Sequence, residues 1–186
     1  MTIEAKLPEA ETSEDDILLR ATTGKTYFQD QLHLFEAAGN LIWLTKNEAA
    51  QQIVLLEAIA GPLMSGIGTG IQLYRNSQDL GAVLQVHHNL MALGNFAKGF
   101  PQASDAELET VSYQSPFKQM TEALLQALDV MKTHRVVRDS VIIASVKPSK
   151  LNIHLGPLCI LPICERYRFD HRRARAAIRF TCCDGV

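Results

Sequence analysis

The sequence predicts an all-α fold, a solenoid built from stacked antiparallel helix pairs. Three observations predict it. Apolar residues recur at three- and four-residue steps in the long segments between residues 14 and 146. Short polar turns such as Asn76-Ser77-Gln78 join those segments, which sets neighbouring helices antiparallel. Before residue 140 no run alternates as a strand would.

The central element is Asp79–Pro101. Val83, Val86, Leu90, Leu93 and Ala97 form one apolar stripe, and Leu80, Leu84 and Met91 form a second beside it. A helix apolar over so much of its girth has to be covered on more than one side. Asp79 is the expected N-cap, and Gly99 with Pro101 the stop.

Before that helix, Ser13–Asp16 starts a short helix that runs through Arg20 and ends at Thr22-Thr23-Gly24. The next helix spans about Thr26 to Thr45, with Phe28, Leu32, Phe35, Gly39 and Ile42 on one face. Gly39 on that face costs roughly 1 kcal/mol relative to Ala, and the expected return is close approach of a neighbouring helix. Asn47 then caps a helix whose stripe is Ile53, Leu56, Ala60, Leu63, Ile67, Ile71 and Tyr74. Pro62 predicts a kink or break near Ala58–Gly61, and Gly66, Gly68 and Gly70 weaken the second half.

After the central helix an acidic loop runs from about Gln102 to Gln114, carrying Asp105, Glu107 and Glu109. Ser115-Pro116 reads as N-cap and first helical residue of a helix striped by Phe117, Met120, Leu124, Leu128 and Met131. A last helix begins near Thr133. Repeat lengths are too irregular for tetratricopeptide or ankyrin patterns, and the loose HEAT-like pattern fits better.

At 186 residues with a formal net charge of -2, the chain is not a basic nucleic-acid binder by charge alone. The charge is uneven, however. Residues before Leu151 carry 12 Lys plus Arg against 17 Asp plus Glu, about -5; the rest carry six Arg against Glu165, Asp170 and Asp184, about +3. All four cysteines, Cys159, Cys164, Cys182 and Cys183, also lie late. Three regions follow: an acidic, disordered stretch over residues 1–13, HEAT-like repeats over 14–146, and an atypical, poorly ordered Cys- and Arg-containing tail over 147–186. No signal peptide is evident, and no uninterrupted apolar run reaches the roughly 18 residues of a membrane span. A reducing compartment without disulfides is expected.

The run TYFQDQLHLFEAAGNLIWLT, then GPLM, then VLQVHHNLMALGNFAKGFP, then SPFKQMTEALLQALDVMKTHRVVRDS resembles the fungal exportin-T family of the importin-β superfamily. The resemblance covers about residues 26 to 140 and rests on the order and spacing of those blocks. It implies an internal fragment of a HEAT superhelix that binds tRNA and Ran-GTP, passes nuclear pore proteins and shuttles between nucleus and cytoplasm. The regions that engage Ran would lie largely outside this chain, since family members are several times longer. The alternative is a HEAT scaffold for protein partners with no RNA role.

The remaining constellations point away from catalysis. His87 and His88 are adjacent on a helix, about 100° apart, with no carboxylate three or four residues away, which suits packing and not a metal site. Cys159, Cys164, Cys182, Cys183, His154 and His171 lack zinc-ligand spacing. Gly66, Gly68 and Gly70 follow a helix and match no dinucleotide fingerprint. No cofactor, metal or enzymatic activity is therefore expected. Arg166, Arg168, Arg172, Arg173, Arg175 and Arg179, with Tyr167 and Phe169, read as a basic tail that adheres to polyanions without specificity. Lys98, Lys118, Lys132, His134 and Arg135, at or near helix ends, are the candidate tRNA phosphate contacts; the plainer reading is solvated surface charge.

Overall fold

The computed structural model describes Ile3, Leu7 and residues 13–23, 27–100 and 113–146, all within one compact unit. The expectations for the basic tail and for most of residues 1–13 and of the acidic loop lie outside the described residues. Among the described residues there are six helices and no strand. They are α1 (Glu14–Thr23), α2 (Tyr27–Leu44), α3 (Ala49–Ser77), α4 (Leu80–Lys98), α5 (Gln114–Met131) and α6 (Arg135–Val146).

The central helix is α4. Val83, Leu84, Val86, Leu90 and Leu93 are buried, and α4 packs on α1, α2, α3, α5 and α6. The Asp79 carboxylate accepts from the Gly81 N–H at 3.0 Å, satisfying an amide that the first turn leaves without a helical partner. At the preceding turn Gln78 takes a left-handed φ of 54° and returns its N–H to the Tyr74 carbonyl, closing α3.

Two layers result. Phe28 near the start of α2 stacks on His88, while Gly39 farther along meets the backbone of Phe96, so α2 and α4 run the same way. Gly94 of α4 meets Ala144 of α6, each in the second half of its helix. The three helices α2, α4 and α6 form one layer; α3 and α5, which pack on each other, form the second. These are the stacked pairs of a HEAT-like solenoid. α1 stands apart from this order and packs on both α4 and α6.

Several sequence expectations are corrected. α3 is continuous through Pro62, so of the kink or break expected near Ala58–Gly61 the break does not occur. Pro62 and Ala58 both sit on the exposed side, where the Ala58 carbonyl that loses its helical donor can turn to water. The N-cap of α3 is Glu48, without a side-chain cap bond, and not Asn47. α5 begins at Gln114, so Pro116 falls third in its first turn, where no backbone donor is needed. α3 is also long and apolar enough, by length and composition alone, to cross a membrane. In the fold its stripe Leu56, Ala60, Leu63, Ile67 and Ile71 is buried, and the helix packs on α4 and α5.

Candidate nucleic-acid interface

Alternating helix directions send the helix ends to two opposite edges. One edge holds the end of α2, the start of α3, the end of α4 and the start of α5. Its closeness is shown by the Trp43 and Tyr113 rings at 6.1 Å and by the Lys98 Nζ–Glu36 Oε2 ion pair at 2.7 Å. The other edge holds the end of α3, the α5–α6 turn and the start of α6. There His134 Nε2 lies 2.9 Å from Tyr74 Oη.

The five residues singled out in the sequence therefore do not converge. Lys98 and Lys118 belong to the first edge, and Lys132, His134 and Arg135 to the second. On the first edge Lys98 is half exposed but neutralised by Glu36, while Lys118 is exposed. Lys46 also stands there, its Nζ 5.0 Å over the Trp43 ring.

On the second edge His134 is a packing residue and not a rim residue. It is buried, and its ring meets Tyr74 edge-on at 5.2 Å. Lys132 is exposed. Arg135 is exposed and makes a loose contact to Asp139 (Nε–Oδ2 3.4 Å), the kind of solvent-screened pair that holds a side chain weakly.

Two further cations of this edge were not among the sequence candidates. Arg75 is exposed in the last turn of α3. Arg138 bends back, its Nη1 donating to the carbonyls of Lys132 at 2.6 Å and Thr133 at 3.1 Å. That placement ties down carbonyls after α5 and sets a cation at the negative end of its dipole. The sequence signal for Arg75 is its place just before the turn at Gln78-Asp79; Arg138 carries none, because its bond reaches backwards across the turn.

The pair His87–His88 is buried, with the two Nδ1 atoms 3.1 Å apart and Phe28 stacked on His88 at 3.8 Å. Burial, and second the neighbouring His88, lower the His87 pKa from 6.5 to about 3; burial lowers that of His88 to about 4. Both rings are neutral near pH 7 and act as packing. Among the described residues no group of three His, Cys, Asp or Glu side chains could hold a metal ion. A space of about 20 Å³ lined by Leu93, Gly94, Phe117, Met120, Leu124 and Ala144 is of one-water size.

Among the described residues, the second edge thus carries the exposed cations Arg75, Lys132 and Arg135 at helix ends. The comparisons agree with the resemblance read from the sequence. The family model described as Exportin-T matches residues 1–147, beginning well before residue 26. The Exportin-T of Mycosarcoma maydis is 38% identical over 142 residues, covering 75% of this chain and 13% of the relative. That of Laccaria bicolor is 36% identical over 143 residues with the same two coverages, and that of Aspergillus oryzae 30% over 145 residues, covering 74% and 14%. The chain thus spans about an eighth of the length of the curated relatives it matches (13% to 14%). On the extent of the family match and the identity to these relatives, the chain belongs to the exportin-T family.

Proposed function

We propose that this chain is a segment of a tRNA nuclear-export receptor, working by binding and not by catalysis. Family membership is the observation that carries the reading. The whole receptor would carry tRNA out of the nucleus with Ran-GTP, make contact with nuclear pore proteins and shuttle between nucleus and cytoplasm. Ran would be engaged mainly by regions outside this chain and would favour one curvature of the superhelix.

Within the segment, residues 14–146 supply the HEAT-like repeats. Lys132 and Arg135, joined by Arg75, are the proposed phosphate contacts, with Lys118 on the opposite edge a separate one. Lys98 contributes less, because a phosphate would have to displace Glu36. Recognition of this kind reads RNA by shape and backbone, with each contact small and salt-sensitive. Residues 147–186 are proposed to be foreign to the family, as translated intron or frameshifted exon. The family match stopping at residue 147 supports that reading.

The test is tRNA binding by the 186-residue chain over a salt series, with and without Ran-GTP. Weak binding, steep in salt and indifferent to Ran-GTP, is expected. Tight Ran-dependent binding would contradict the assignment of Ran contacts to other regions. Binding unaltered by Lys132→Glu with Arg135→Glu would remove these two residues from the phosphate contacts.

A further inference from the structure

Thr133 stands in the three-residue turn between α5 and α6, and it is exposed. Several other hydroxyls of the fold are engaged. Those of Thr23, Thr45, Ser77 and Thr121 donate to carbonyls three or four residues back, at 2.7–3.0 Å. Among the described residues the Thr133 hydroxyl makes no hydrogen bond. Its chain neighbours are cationic. Lys132 precedes it and Arg135 follows two residues on, both exposed, while His134 between them turns inward onto Tyr74. A hydroxyl presented by a turn between two outward cations is complementary to a kinase with an acidic peptide groove. Ser77, on the same edge, is less suited. Its hydroxyl is bonded within the last turn of α3, where a phosphate would load the negative end of the helix dipole.

Arg138 supplies an independent observation. Its Nη1 donates to the carbonyls of Lys132 at 2.6 Å and Thr133 at 3.1 Å, which fixes the guanidinium beside residue 133. A guanidinium has five N–H donors, and Nη1 carries two of them, so three remain at Nε and Nη2. A phosphate on Thr133 Oγ1 would hang from the same residue as the carbonyl that Arg138 already grips. The remaining donors form the planar fork that suits phosphate oxygens. Arg135 is held only loosely, by Asp139 at 3.4 Å, and is able to turn. The turn and the adjoining ends of its two helices carry Lys132, Arg135 and Arg138 with Asp129 and Asp139, a net charge of about +1. A phosphate brings about −1.5 to −2 at pH 7 and reverses the sign.

We propose that Thr133 is a phosphorylation site whose phosphate is received by Arg138 and closes the Lys132–Arg135 edge to polyanions. A protein kinase directs Thr133 Oγ1 onto the γ-phosphorus of ATP. The new O–P bond forms as the bond from that phosphorus to the β–γ bridging oxygen breaks. ADP leaves with that electron pair, and the hydroxyl proton passes to the base of the kinase. The modification and its receipt by Arg138 stand on the turn alone, whereas the closing of the edge rests on the tRNA reading.

The test uses the 186-residue chain. It is treated with ATP and the catalytic domain of protein kinase C, a kinase that selects basic residues beside its acceptor, and mapped by peptide mass spectrometry. Phosphate is expected on Thr133 and not on Ser65 or Thr69, exposed residues within α3. Phosphothreonine encoded at position 133 then gives a uniform sample. Its second ionisation, followed by phosphorus NMR, should fall at lower pH than the roughly 6 of a free phosphothreonine. It should return toward that value in Arg138→Gln or Arg138→Met, whichever melts like the parent. In a tRNA salt series the slope of log affinity against log salt should fall by about 1–2, with Thr133→Val unchanged. Absence of phosphate at residue 133 would overturn the proposal, as would an undisplaced ionisation. So would tRNA binding that falls with Lys132→Glu plus Arg135→Glu but not with phosphothreonine. A displaced ionisation with tRNA binding that ignores both changes would instead refute tRNA contact at this edge, and the phosphate site would stand.

Discussion

Gly39 of α2 sits directly on the carbonyl oxygen of Phe96 in α4, and a Cβ at position 39 would overlap it. Gly99, whose own Cβ would strike the Glu36 carbonyl, completes the crossing from the other side. The obstacle is backbone on both sides, so no side-chain rotation relieves it. Gly39→Ala should therefore destabilise the chain by about 1–3 kcal/mol in urea unfolding, despite the higher helix propensity of Ala. Gly68→Ala, with nothing within 4 Å of its added Cβ, should gain about 0.5–1 kcal/mol. Equal effects at the two sites would refute the close-approach reading of Gly39.

Leu90 is fully buried in the helix that touches every other one. Leu90→Ala should cost about 2–5 kcal/mol, the range for a truncated core leucine whose site collapses only in part. A change below about 0.5 kcal/mol in a denaturant melt would mean that α4 is not the core.

The His87–His88 pair makes stability depend on pH. In the unfolded chain both rings titrate near 6.5, while in the fold they hold no proton until about pH 4 and about pH 3. Below pH 6.5 the unfolded state thus binds more protons than the native one. The pair's contribution is intact above that pH and is lost as pH falls toward 4. With both rings involved the slope reaches roughly 2–3 kcal/mol per pH unit below about pH 6. Urea titrations at pH 7, 6 and 5 should show it, and His88→Gln should roughly halve it. Flat stability between pH 6.5 and 5 would rule this out.

Lys132 and Arg135 should matter more for polyanion binding than Lys98. Lys132→Ala and Arg135→Ala should each reduce the slope of log affinity against log salt by about 1 when tRNA is titrated. Lys98→Ala should change it less and cost no more than about 1 kcal/mol of stability, the usual scale of a partly exposed ion pair. A larger slope change at Lys98 would place the contact edge at the other end of the helices.

The helices themselves were legible because their signals are local. The Asp79 cap, the α4 stripes and the turn at Gln78 are each written within a few residues, and they stand where expected. The errors came from residues whose role depends on a distant partner. Gly66 and Gly70 read as helix weakeners, but their added Cβ atoms would meet Asn89 and Val86 of α4, so they let α3 lie close to its neighbour. His134 read as a rim cation because its partner Tyr74 is 60 residues away. The split of the cations between two edges also needed the directions of five helices, which no single segment encodes. The packing of α1 on α4 and α6 had no sequence signal, since its apolar residues would suit any helix face.

The rings that close the first edge bear on how this chain tolerates length changes. Phe100 and Tyr113 flank residues 101–112, and their centroids are 5.2 Å apart, with Phe117 touching both. The segment between therefore departs from and rejoins the same aromatic anchor. The points of departure and return are thus fixed by side chains outside the segment. Doubling the length of a flexible loop costs only about 0.6 kcal/mol in closure entropy. A reporter peptide or affinity tag spliced in at Asp105 should leave the helix stack intact.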